Sequence, residues 1–203
     1  MRNNMNNDTS KKEDILLAAE RVFAEKGFKG TTIREVAKQA GIASSLIFYY
    51  FKNKAVLYEA VFQHFFDQLD DLIEQHLNLD LDRLSTVKAL IFMVTDFSIK
   101  HRNLMKILTR EIIDNGSIGQ EISQKYLNTL FDFVSEFLAE GKKEALFREV
   151  NPNQFLVSLF GIIVFYFLSD SFLQAVGIGD PYGSKEIEAR KMEVWSIVRS
   201  RIA

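Results

Sequence analysis

Residues 31–54, TTIREVAKQAGIASSLIFYYFKNK, constrain this chain more than any other stretch. Ile33, Val36, Ala37 and Ala40 recur at the spacing of one helix face, which predicts a short helix over residues 33–40 that Thr31 or Thr32 can cap. Gly41 stands where a chain reversal needs a residue tolerant of positive φ, and Ile42 drops into the core beneath the turn. Ser44 can then cap a second helix ending near Phe51. Its residues divide by angle. Ile47 and Phe51, four apart, share an apolar face, while Ser44, Ser45, Phe48, Tyr49 and Lys52 fall together on another. Two short helices about a tight turn make a helix-turn-helix. A face of small, aromatic and basic residues suits a helix entering a DNA major groove, where rings touch thymine methyls and sugars and lysines neutralise phosphate.

The rest of the chain is predicted to be all-α. It holds only two prolines, Pro152 and Pro181, and no run of period-two alternation. Residues 1–9 are polar and rich in asparagine, and read as a flexible arm. A first helix over residues 10–26 carries Ile15, Ala18, Ala19, Val22 and Phe23 on one face and stops at Gly27, with Phe28 plugging the base of a three-helix head. A long helix follows a cap at Asn53 and reaches about residue 76, with Leu57, Val61, Phe65, Leu69 and Leu72 at helical spacing. Further helices are expected over residues 82–101, 103–114 (closed by Asn115 and Gly116) and 118–140, the last ending at Gly141. Another should run from Asn151 and Pro152 to a loop marked by Gly177, Gly179 and Pro181, and a final one over residues 184–202. The division is then an arm at 1–9, a DNA-binding head at 10–53 and a helical body at 54–203. The long helix begins inside the head, so no flexible linker separates the two.

The 203 residues suffice for a small domain fused to a larger one. Residues 1–60 hold 10 Lys and Arg against 7 Asp and Glu, whereas the remainder holds 15 against 20. A mildly basic N-terminal part on an acidic body is what a DNA-binding head shows. The absence of cysteine excludes disulfides, thiolate-zinc sites and cysteine nucleophiles, and fits a cytoplasmic location. No apolar run follows the N-terminal charges, so no signal peptide is expected. The run FLVSLFGIIVFYFL at residues 155–168 is shorter than the roughly 20 residues a spanning helix needs, so no membrane is expected as a partner. A helix apolar all round is instead buried or shared with a partner.

The pieces ILLAAERVFAEKGF, GTTIREVAKQAGIA and SLIFYYFKNKAVLYEAV, at this spacing, resemble the TetR family of bacterial transcriptional regulators over residues 11–60. The resemblance implies a ligand-responsive regulator, by family default a repressor, that binds a palindromic double-stranded operator as a homodimer. It puts Thr32 and Arg34 on the phosphate backbone, Ser44, Ser45, Tyr49 and Tyr50 near base edges and sugars, and Lys54 on a phosphate beside Lys52. Phe48 stands where the family commonly has tyrosine, and Ser44 where many members have a longer polar side chain. The resemblance also implies dimerisation through the last two long helices, for which Phe160, Gly161, Val164 and Trp195 are candidates. It implies a cavity for a small hydrophobic or amphipathic inducer, with Phe65, Phe92, Phe97, Phe133 and Phe165 as candidate walls and Asp96, His101, Tyr126 and Tyr166 as polar handles. Fourteen of the 18 phenylalanines follow residue 60, and most of them must simply be core. His64, His76 and His101 lack metal-ligand spacing, and no P-loop, dinucleotide fingerprint or nucleophile elbow occurs, so neither cofactor nor enzyme activity is expected. Three alternatives remain: a regulator governed by a protein partner or by no inducer, a helical enzyme with a vestigial head, and a membrane-associated helix pair around residues 155–168.

Overall fold

The computed structural model describes residues 2–114, 124, 126, 128–168 and 170–203, with side chains from Ser10 onward. Among the described residues every regular element is a helix. These are α1 (Arg2–Gly30), α2 (Ile33–Ala40), α3 (Ser44–Tyr50), α4 (Lys54–Leu77), α5 (Arg83–Lys100), α6 (Arg102–Asp114), α7 (Asn128–Lys143), α8 (Pro152–Tyr166), α9 (Asp170–Ala175) and α10 (Ser184–Ile202).

Two compact units emerge. The first comprises Met1–Gln68 with Lys106–Ile122, the second Leu69–Met105 with Ser123–Ala203. The division falls inside α4 and inside α6 rather than at residue 54. In the first unit Ala19, Phe23, Val36, Ile47, Phe51, Leu57 and Tyr58 form a core almost free of solvent. Phe23 meets the edge of Tyr58 at 4.7 Å and Phe28 lies 4.9 Å from the same ring, so one tyrosine of α4 closes the base of α1. Its hydroxyl donates to Glu111 of α6 at 2.6 Å, and burial together with that carboxylate raises its pKa. In the second unit Ile91, Phe97, Leu104, Phe167, Ile187, Val194, Val198 and Ile202 are buried.

Several helix limits differ from the sequence expectation. Residues 2–9 are helical rather than a flexible arm. No glycine or proline precedes Gly27, and extending a helix already held by packed residues costs far less than nucleating one. Gly27 itself breaks the helical geometry at φ 70°, as its sequence position predicts. Ser44 is the first helical residue of α3 and not its cap; Ala43 holds that position without a side-chain hydrogen bond. The early part of the helix expected over residues 118–140, and the Asn115-Gly116 close expected for the helix before it, lie outside the described residues. That helix does not end at Gly141 but continues to Lys143. The apolar segment after Pro152 ends at Tyr166, and a separate short helix, α9, follows. Tyr166 donates its hydroxyl to the Pro181 carbonyl at 3.0 Å, which holds the end of α8 against the later loop. Gly177, at φ 90°, then ends α9, with the Ile178 amide returning to Leu173.

A candidate nucleic-acid interface

The reading unit is set by its caps. Thr32 is extended and its hydroxyl accepts the Glu35 amide at 3.3 Å, while the Glu35 carboxylate accepts the Thr32 amide at 2.8 Å. This reciprocal capping box holds the start of α2. Lys26 of α1 pairs with the same carboxylate at 2.5 Å. The lysine first, then the Thr32 amide and hydroxyl, lower the Glu35 pKa to about 2. Glu35 was not singled out from the sequence, although threonine followed three residues later by glutamate is the signature of such a box. At the other end of α2, Gly41 takes the left-handed conformation at φ 67° and ψ 31°, and the Ile42 amide closes on Ala37 at 3.0 Å.

Across that turn, α3 is anchored by Ile47 and by Phe51 just beyond its end, both buried. Ser45 is exposed, and the Phe48 and Tyr49 rings are 53% and 74% exposed. Ser44 and Tyr50 are half-buried. Tyr50 meets Tyr49 edge-on at 5.0 Å and tilts against Phe51 at 6.4 Å, so a row of rings leads from the core to the surface. Arg34, Lys52 and Thr32 are exposed. Lys12, not marked in the sequence, brings its Nζ within 6.0 Å of the Phe51 ring and adds an exposed cation near the end of α3. Lys54 differs from the other basic residues. Its Nζ donates to the carbonyls of Phe28 at 2.7 Å and Thr31 at 2.9 Å, and lies 4.5 Å from the Phe28 ring centre.

A helix-turn-helix with this geometry has a matching family. Residues 15–61 match the family model for bacterial regulatory proteins, tetR family. Residues 15–61 are a TetR-family helix-turn-helix domain. It is 27% identical over 176 residues to the "Probable HTH-type transcriptional regulator YttP" of Bacillus subtilis, covering 85% of this chain and 84% of that one. It is 28% identical over 192 residues to the HTH-type transcriptional repressor KstR2 of Mycolicibacterium smegmatis, covering 93% and 89%. Its fold is similar to that of the fatty acid degradation regulator FadR of Bacillus halodurans, with a TM-score of 0.73 at 22% identity over 93% of this chain and 96% of that one. Over most of its length the chain is thus similar to helix-turn-helix transcriptional regulators.

The residues expected to line a TetR-family inducer cavity are distributed over both units. Phe65 is buried in the first unit. In the second, the Phe97 ring lies tilted 4.5 Å from His101, which is buried at the end of α5. Asp96 is exposed and paired with Lys191 at 2.6 Å, and the same ammonium lies 5.6 Å from the half-buried Phe92 ring. Tyr126 and Phe133 are half-buried, and the Tyr166 hydroxyl is committed to Pro181. Phe165 is 53% exposed and meets Phe172 edge-on at 5.5 Å, so it points away from the core. Beside α10, Arg148, Met192, Trp195, Ser196, Arg199, Ser200 and Ala203 line a surface depression of 780 Å³.

The dimer candidates also separate. Gly161 is exposed and Phe160 half-buried, but Val164 and Trp195 belong to the core of their own chain. The exposed apolar face of α8 instead runs through Val157 (69% exposed), Gly161 and Phe165. Their spacing of four could have identified that face from the sequence. Among the described residues no helix is long and apolar enough to cross a membrane.

Proposed function

We propose that this regulator binds a palindromic DNA operator as a homodimer and represses transcription until a small, largely apolar molecule occupies the body. The observation that carries the DNA-reading half is the exposed face of α3. A seven-residue helix held by Ile47 and Phe51 presents two large rings to solvent at the point where a major groove would receive them. Thr32, Arg34 and Lys52 flank it as phosphate contacts, Ser45, Phe48 and Tyr49 face the bases, and Ser44 and Tyr50 lie at the margin. In a two-fold dimer the α3 helices of the two copies would sit about 34–36 Å apart, one turn of duplex. Repression is supported by the repressor named among the relatives. Release needs a mechanical route, and α4 offers one because it is continuous from Lys54 to Leu77. A shift in its later turns reaches the turn beside Phe28. A coupling of about 1–3 kcal/mol would weaken operator binding roughly 5–150-fold.

The test is Tyr49→Ala. An exposed ring can be removed without disturbing the core, so helicity and oligomeric state should stay as they are. Affinity for an operator duplex should fall about tenfold, or ~1.4 kcal/mol, in a titration at fixed salt. Unchanged affinity would remove α3 from the groove.

A further inference from the structure

The seven residues of α3, Ser-Ser-Leu-Ile-Phe-Tyr-Tyr, include no arginine, lysine, asparagine, glutamine, aspartate or glutamate. Those are the side chains that read guanine, adenine or cytosine by hydrogen bonds of fixed direction. A serine or tyrosine hydroxyl both donates and accepts, so it adapts to either partner and discriminates weakly. What remains on the exposed face is apolar area, and the thymine C5-methyl is the apolar group on a major-groove base edge. We infer that Phe48 and Tyr49 form a thymine-methyl reader, so that the operator half-site is specified at α3 by thymines whose methyl groups pack on these two rings. The inference rests on the DNA-binding reading above and deepens it.

The structure prepares both rings for that contact. Phe48 is 53% exposed and carries no hydroxyl that must be kept hydrated when the ring leaves water. Tyr49 is held edge-on by Tyr50, and Tyr50 by the buried Phe51, which limits the ordering that binding requires. Ser45, on the same face one turn earlier, is too small to shield either ring. The nearby cations Lys12, Arg34 and Lys52 can fix position on phosphates, but phosphate contacts carry no base identity. Base identity therefore falls to the rings and to the shape of the duplex.

Substituting deoxyuridine for thymidine removes only the methyl group, and this gives a direct test. A duplex is first selected from a random pool with the full-length wild-type protein. Its thymines are then replaced one at a time by deoxyuridine, and affinity is measured at fixed salt. At one or two positions per half-site the loss should be about fourfold per methyl, as for burial of one methylene-sized group. In Phe48→Ala or Tyr49→Ala the sensitive position should become indifferent to the replacement, with helicity unchanged. Tolerance of uracil at every position would overturn the methyl reader and leave duplex shape as the source of specificity. A loss that persists undiminished in both variants would overturn it as well. A pool that yields no enriched duplex would instead overturn the DNA-binding reading itself.

Discussion

A cation at a helix N-terminus opposes the helix dipole, yet Lys54 opens α4 with no acidic residue in the first turn to offset it. Its ammonium resolves the conflict by reaching back to the carbonyls of Phe28 and Thr31, where the α1 helix ends and a positive charge is favoured. Two of its three N–H groups are thereby committed inside the protein, and the Phe28 ring covers one side. On the proposed DNA-binding function, Lys54 would act through the placement of the α1–α2 corner. Lys54→Ala should then lower unfolding stability by about 2 kcal/mol, since charge-assisted hydrogen bonds are involved, and weaken binding to all duplexes. The slope of log affinity against log salt should stay unchanged. Denaturant unfolding and a salt titration check both; a slope reduced by about one would place the ammonium on a phosphate instead. The family resemblance gives Lys54 to a phosphate, and its intramolecular partners are not visible in the sequence. They are backbone carbonyls 26 and 23 residues earlier, which no side-chain pattern announces. The outward face of α3 was legible because helical angle is a local property. Two buried residues, Ile47 and Phe51, fix which side is left for Phe48 and Tyr49.

Helix ends divide along the same line. Starts governed by a neighbouring side chain were readable. Thr32 caps α2, Asn53 accepts the Val56 amide at 3.0 Å, and Asn151 accepts the Gln154 amide at 3.1 Å before Pro152. Ends governed by distant contacts were not. No glycine or proline marks the break between α8 and α9, and the Pro181 carbonyl that holds Tyr166 lies 15 residues away. Gly141 is the opposite case, a glycine that looks like a stop and is none. It sits inside α7 with the Phe147 ring against it, and a Cβ there would lie 2.1 Å from that ring. The amides of Leu146 and Phe147 both return to the Gly141 carbonyl at 3.0 Å, so the turn cannot easily retreat. Gly141→Ala therefore sets two effects against each other. Helix propensity favours alanine by about 1 kcal/mol. Displacing the buried ring, which also lies 6.0 Å from Phe137, costs about 1–3 kcal/mol. The clash should win, and the melting temperature should fall by several degrees. A rise in melting temperature would show that Phe147 can move aside freely.

At the scale of the whole molecule, the boundary between the two compact units cuts α4 and α6, so two covalent helices are common to both. That continuity suits a regulator, and the proposed binding of a palindromic operator by a homodimer also needs two heads on one assembly. Single exposed apolar residues are ordinary on a protein surface. Val157, Gly161 and Phe165 are different because they lie four apart on one face of α8, with exposed Phe172 on α9 and exposed Val176 just beyond its end. A two-fold contact places the same patch on itself, and a glycine at its centre lets the backbones approach closely. Within its own chain nothing lies within 4 Å of a Cβ at Gly161, so a larger side chain costs the monomer no clash. Arginine is also the better helix former by about 0.8 kcal/mol. Gly161→Arg should therefore leave the melting temperature of the isolated chain level or slightly higher, while two long cations meet across the axis. Sedimentation should show the mass halved relative to wild type. Operator affinity should fall on the order of 10²-fold or more, since each head would then bind alone. Retention of the dimer by this variant would move the interface off α8. Monomers that still bind the operator at wild-type affinity would break the link between assembly and reading.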